Sequence, residues 1–212
     1  AKRLGIDHVM WYDEKMVFPD GNAEPAGDDA FMVRTAQKMY HEISPETGEF
    51  IDFMIDHELM DLQNKPGKAS TGYMTSLPSL KAPFVFSCFN HTIFDMQVLT
   101  HELGHAFAGY MAMRSQPISD YYSESTDIAE IHSMSMEFLT AEHHEKFFGT
   151  DTPRYELAHA EDAMYFLPYG TMVDEFQHIM YAEPDLTPGE RNAVWAKLES
   201  EYRPWLDFAG LP

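Results

Sequence analysis

The sequence predicts a mainly α-helical fold with a small β-sheet, on three observations. Segments with apolar residues at helical spacing alternate with clear helix start and stop signals along most of the chain. The stretches of strand character, rich in Thr, Tyr, Phe and Val, are short and confined between Ser70 and Phe89. Finally, His101-Glu102-Leu103-Gly104-His105 brings its two imidazoles onto one face only if the segment is a helix, because positions i and i+4 stack there.

Taken in order, Asp28 to Ile43 reads as a first helix. Ser44-Pro45 then supplies an N-cap and a first-turn proline for a second, which carries Phe50, Phe53, Met54 and Leu62 and is followed by Gly67. Two strands follow between Ser70 and Phe89, separated by the proline-containing Ser79 to Pro83 and forming a small sheet edge. Thr92 with Asp95 three positions on starts the helix of the histidine pair, which runs through Met111. Within it Gly104, Ala106, Ala108 and Gly109 are small enough for a neighbouring helix to approach closely. Another helix starts around Ser125 and runs toward His143. Two helical segments, Arg154 to about Phe166 and Met172 to Tyr181, are separated by Pro168 and Gly170. The last helix opens at a capping box, Thr187 to Glu190, and ends before Pro204. No internal repeat interrupts this order, and the loops are short, so residues 1–212 are expected to form a single domain.

Composition narrows the function classes. A chain of 212 residues, 44% hydrophobic and 14% aromatic, can bury one sizeable core. Fourteen basic against thirty-five acidic side chains give a formal charge of −21, whose field repels phosphate and argues against nucleic-acid or anionic-membrane partners. The single cysteine, Cys88, excludes an internal disulfide framework, fits a cytoplasmic location, and sits among Phe84, Val85, Phe86 and Phe89 as an expected buried strand residue. No charged-then-apolar leader opens the sequence, and no apolar run has membrane-spanning length.

The chemistry is carried by His101-Glu102-Leu103-Gly104-His105. Its two histidines can converge on one zinc ion while Glu102 projects beside it as a general base. A catalytic zinc site needs a third protein ligand, with the fourth position left to water. Two carboxylates qualify, Glu124 and Glu130, lying beyond His105 after gaps of eighteen and twenty-four residues, and spacing alone leaves both open. Glu124 sits in a polar stretch suited to a helix mouth. Glu130 lies in an apolar helix, where an unpaired charge would be costly.

Other polar residues read more blandly. His57-Glu58-Leu59-Met60-Asp61 copies the first three letters of the motif but lacks the second histidine, so it reads as the surface of an amphipathic helix, as do His143-His144. His132, two residues from Glu130, turns to another face and suits packing. Asp127 suits the helix N-terminus better than it suits orienting a ligand histidine. Tyr165, Tyr169 and Tyr181 are candidate substrate contacts, but aromatic residues at such spacing belong more often to cores.

The segment Asp95 to Ala106, the long gap, and Ala129-Glu130-Ile131-His132-Ser133 resemble the thimet oligopeptidase and oligoendopeptidase F family of zinc metallopeptidases, most of all its bacterial oligoendopeptidase F branch. Gly72-Tyr73, Pro83 to Phe86 and Thr187 to Arg191 are similar to it more loosely, and Ala108 stands where many members carry a histidine. The resemblance implies a helical zincin-type catalytic domain with the small sheet beside the cleft. Its twenty-four-residue gap selects Glu130, giving His101, His105 and Glu130 as metal ligands, Glu102 as the catalytic base, Zn²⁺ as cofactor and oligopeptides as substrates. It also implies a longer chain, of which residues 1–212 are a fragment, with oxyanion donors in a C-terminal segment bearing a histidine and tyrosines. Two alternatives are a metalloaminopeptidase-like enzyme using Glu124 and a non-catalytic zinc-stabilised binding module.

Overall fold

Asp28 accepts from the Phe31 N–H and starts α1 (Asp29–Ile43), and Ser44, in extended backbone, closes α1 and caps α2 (Pro45–Asp56). This cap pair folds the two helices against each other and buries Met32, Ala36, Met39 and Tyr40 of α1 against Phe50, Ile51 and Met54 of α2. The computed structural model describes residues 1–123 and 125–210, without the side chains of Thr126 and Asp127. Its chain divides into two compact units, Ala23–Tyr155 and Ala1–Asn22 with Glu156–Pro212.

In the first unit, α2 ends eleven residues before Gly67. His57 follows it, Glu58 turns through a positive φ of 53°, and the chain becomes strand β2 (Met60–Gln63). Leu62 is therefore a buried strand residue and not part of a helix, and His57 to Asp61 form the bend and strand start instead of a helix surface. The cause is tertiary: β2 pairs in parallel with the strand that follows two elements later, and the Leu59 carbonyl accepts from the Val85 N–H at 2.9 Å. Strand β3 (Tyr73–Leu77) and strand β4 (Ala82–Phe89) form the expected antiparallel pair, so the sheet order is β2-β4-β3 with β3 on an edge. Along β4 the side chains alternate: Pro83, Val85, Ser87 and Phe89 are buried, while Cys88 faces the other side, half-buried, with its thiol against the Ala69 carbonyl. The strand placement of Cys88 is thus as expected and its burial is not.

Thr92 caps α3 (Ile93–Ser115), which extends a turn beyond Met111. This helix is apolar on several sides because it is covered on several sides, by the sheet and by α4 (Thr126–Leu139). A short turn then leads to α5 (Glu145–Phe148), where His144 is buried against the Tyr155 ring and not on a surface face.

The second unit is built on α6 (Thr152–Ala182) from Glu156 onward and on α7 (Pro188–Tyr202), with strand β1 (Val9–Met10) paired in parallel to strand β5 (Leu206–Asp207). Pro168 and Gly170 do not break α6, which continues through both. Proline removes one helix hydrogen bond, and here the preceding turn is exposed at Met164, Tyr165, Phe166 and Leu167, so water can reach the freed carbonyl. Tyr165, Tyr169 and Tyr181 are exposed as well, Tyr181 at 84%, and are not core residues. The Thr187–Glu190 capping box forms as read from sequence. None of the helices among the described residues is long and apolar enough to cross a membrane.

Candidate metal centre

Gly104 explains why α3 and α4 meet where they do. A Cβ on it would lie 2.8 Å from the Ser133 Cα and 3.0 Å from the His132 carbonyl oxygen, so only glycine allows the two backbones this approach. The close crossing brings Glu130 of α4 over the two histidines of α3. Glu130 Oε2 lies 3.1 Å from His101 Nε2 and 3.4 Å from His105 Nε2. Among the described residues these three side chains form the one group whose donor atoms, all within 4.8 Å of one another, can hold a metal ion.

The donor set fits zinc in kind and in spacing. Two imidazole nitrogens and one carboxylate oxygen are common catalytic zinc ligands, and bonds of 2.0–2.1 Å in tetrahedral geometry set neighbouring donors about 3.3–3.4 Å apart. The observed separations bracket that distance. His101 is oriented from behind: its Nδ1 lies 2.7 Å from Glu137 Oε1, and since a carboxylate only accepts, the proton sits on Nδ1 and leaves Nε2 free to ligate. Burial alone would lower the His101 pKa. The hydrogen bond and charge of Glu137, with Glu102 and Glu130 near, outweigh it and raise the pKa above the usual histidine value.

Glu102 points to the sheet side of the pair. Its carboxyl lies beside Gly72, where a Cβ would be 3.7 Å from Oε1, so the start of the edge strand β3 runs next to the acid. Burial pushes the Glu102 pKa up, the neighbouring charge of Glu130 adds to this, and the two histidines with a backbone hydrogen bond from Met74 oppose it. A carboxyl whose pKa is raised in this way is a stronger proton acceptor than an ordinary glutamate.

Glu124, the alternative third ligand, lies outside the described residues, as does the side chain of Asp127. The orienting acceptor found on His101 is Glu137, which the sequence reading missed, and a second residue it missed is Ser133, whose hydroxyl donates to Glu130 Oε2 at 2.7 Å. A signal was present: 133 and 137 follow 130 by three and seven, the spacing of one helix face. His132 is half-buried on a neighbouring face and takes no part in the triad. His57 lies in the bend after α2, outside the triad.

The sequence model of peptidase family M3 matches residues 33–209. The chain belongs to that family. Three solved structures are similar over nearly its whole length. One, described as an oligoendopeptidase F, is 49% identical with a TM-score of 0.93, covering 99% of this chain and 37% of its own. PZ peptidase A, with an inhibitor, is 48% identical at a TM-score of 0.94 with the same coverage. An oligoendopeptidase F from Bacillus anthracis is 45% identical at a TM-score of 0.90, covering 96% and 37%. This chain therefore spans a little over a third of the length of these M3 relatives, and its placement beside the oligoendopeptidase F branch agrees with the sequence resemblance. No curated protein matches it. As an M3 member the chain has a mainly α-helical, zincin-type fold with, among its described residues, a group of side chains able to hold a metal.

Proposed function

We propose that this chain carries the zinc site of an oligoendopeptidase, with His101, His105 and Glu130 as ligands and Glu102 as the general base, and that residues 1–212 are part of one catalytic domain. The observation that carries the reading is the pair of donor separations, 3.1 and 3.4 Å from one carboxylate oxygen to both imidazole Nε2 atoms. Zinc, when bound, would polarise a carbonyl and lower the pKa of its water to about 7. Glu102 takes the proton of the attacking water and returns it to the leaving amine, a double role its elevated pKa favours. Glu137 holds the His101 tautomer throughout. Substrate is aligned along β3, an edge strand whose free main-chain groups accept many peptide sequences. Restriction to oligopeptides follows the oligoendopeptidase relatives.

The test is a zinc titration of the 212-residue chain against a competing chelator, together with hydrolysis of a quenched fluorescent peptide. One ion per chain is expected, lost in His101→Ala and His105→Ala and kept in His57→Ala. Hydrolysis is expected to stop on chelation and return with zinc. Zinc uptake that survives both histidine substitutions would overturn the ligand assignment, and hydrolysis indifferent to chelation would overturn the metal-dependent reaction.

A further inference from the structure

Of the three proposed ligands, Glu130 is held least by burial: its side chain is 53% exposed, against 28% for His101 and 17% for His105. A glutamate at such a site has three side-chain torsions to settle. Yet one of its oxygens, Oε2, lies against both imidazoles. The restraint comes from Ser133, one turn along α4 and fully buried. Its hydroxyl lies 2.7 Å from Oε2 and 3.2 Å from the Glu130 backbone carbonyl oxygen. A serine hydroxyl has one proton, and the nearer, charged carboxylate is the stronger acceptor. The backbone beneath it cannot drift, because the Ser133 Cα is packed against Gly104 of α3.

We propose that Ser133 is a positioning residue for metal binding, whose hydroxyl fixes the rotamer of Glu130 so that Oε2 meets the two histidines. The proposal rests on Glu130 being a ligand. The anchor and the histidines thereby become one rigid assembly. Gly104 sets the helix crossing, Ser133 rides on that crossing, and its hydroxyl transmits the position to the carboxylate. A hydroxyl that only bonded back to the helix carbonyl would do none of this.

The experiment is a double-substitution cycle on the full chain, with Zn²⁺ affinity read by a competing chromophoric chelator and apo-protein thermal unfolding recorded beside it. Ser133→Ala is expected to weaken Zn²⁺ binding about 10-fold, the lower end of what loss of an outer partner costs. In the Glu130→Ala background the same change is expected to cost nothing more, because the group it positions is gone. The Co²⁺ absorption spectrum of Ser133→Ala is expected to change in band shape, reporting a displaced donor. An equal loss in both backgrounds, or none in the wild-type background, overturns the positioning role while leaving the ligands standing. Wild-type protein that takes up no Zn²⁺, or Glu130→Ala that binds like wild type, overturns the ligand reading and this proposal together. Should Ser133→Ala fail to fold, Ser133→Thr keeps the hydroxyl and is expected to bind Zn²⁺ like wild type, and loss of binding in that variant overturns the proposal.

Discussion

The two helices that meet at the proposed metal centre hold their candidate ligands by different means. Helix α3 is enclosed by the sheet on one side and α4 on another, and its His101 and His105 are placed by a backbone that has nowhere to go. Helix α4 is half open: Ile128, Ile131, Phe138 and Leu139 are all exposed, and its Glu130 is the most accessible of the three donors. What burial does for the α3 backbone, the Ser133 hydrogen bond does for the α4 carboxylate, and Glu137 of α4 reaches across to orient His101 of α3. Packing sets where a ligand's backbone lies, and polar partners set which atom it presents.

The largest effect is expected where this scaffold meets the reaction. Glu102→Gln keeps the shape of the side chain and leaves both histidines and Glu130 in place, so zinc content should stay at wild-type level. Turnover of a fluorescent peptide should fall by about 10²–10⁴, the usual contribution of a positioned general base. Metal analysis and kinetics on one preparation check this. A parallel loss of metal would mean that Glu102 supports the scaffold and not the proton transfer.

Next comes the crossing itself. Gly104→Ala adds a Cβ 2.8 Å from the Ser133 Cα, and the obstacle is backbone, which no rotamer change relieves. Overpacking of this kind costs typically 1–3 kcal/mol, while alanine returns about 1 kcal/mol of helix preference. A net loss of up to about 2 kcal/mol in urea unfolding is expected, with weaker zinc binding as α4 carries Glu130 away from the histidines. Retained affinity at reduced stability would show that α4 can shift along its axis without moving the carboxylate.

A smaller effect tests the polar half of the comparison. Glu137→Gln keeps an acceptor for the His101 Nδ1 proton but removes the charge, and zinc affinity is expected to fall about 10-fold, within the 10–100-fold range for outer partners. Isothermal titration of the apo protein with Zn²⁺ measures it. An unchanged affinity would show that the helix alone orients His101.

The comparison also marks how far the sequence could be read. What depends on local spacing was legible: the Asp28, Ser44, Thr92 and Thr187 starts, the two imidazoles four apart, and the small residues that admit α4. The early end of α2 was not, because no glycine or proline marks it. Glu58 takes the left-handed turn itself, and the segment beyond becomes strand only through pairing with β4, a partner more than twenty residues away. Pro168 misled for the opposite reason, as a strong local signal overridden on an exposed helix. For Cys88 the sequence points to the right strand but not to its half-buried face, since apolar neighbours do not reveal which half of an alternation is covered. Ser133 and Glu137 lay on the Glu130 face all along. Only the His101 and Glu130 positions in space show that their polar atoms have something to hold.

The smallest expected effect comes from the second glycine of α3. Gly109 is buried like Gly104, and sequence alone gives both the same reading, as small residues inviting a neighbour. Their surroundings differ. A Cβ at 109 would meet the Ser76 Oγ at 3.6 Å and the Met74 Cε at 3.7 Å, both ordinary van der Waals distances and both from side chains of β3 that can adjust. Gly109→Ala therefore gains helix preference of about 1 kcal/mol without a clash, chiefly by restricting the unfolded chain. For a protein of this size that corresponds to a rise of about 2–4 °C in Tm. Differential scanning calorimetry of the apo protein, run beside Gly104→Ala, should place the two variants on opposite sides of wild type. If both fall, the sheet side of α3 is packed as tightly as the α4 side, and the contrast between a backbone obstacle and a side-chain one does not govern this helix.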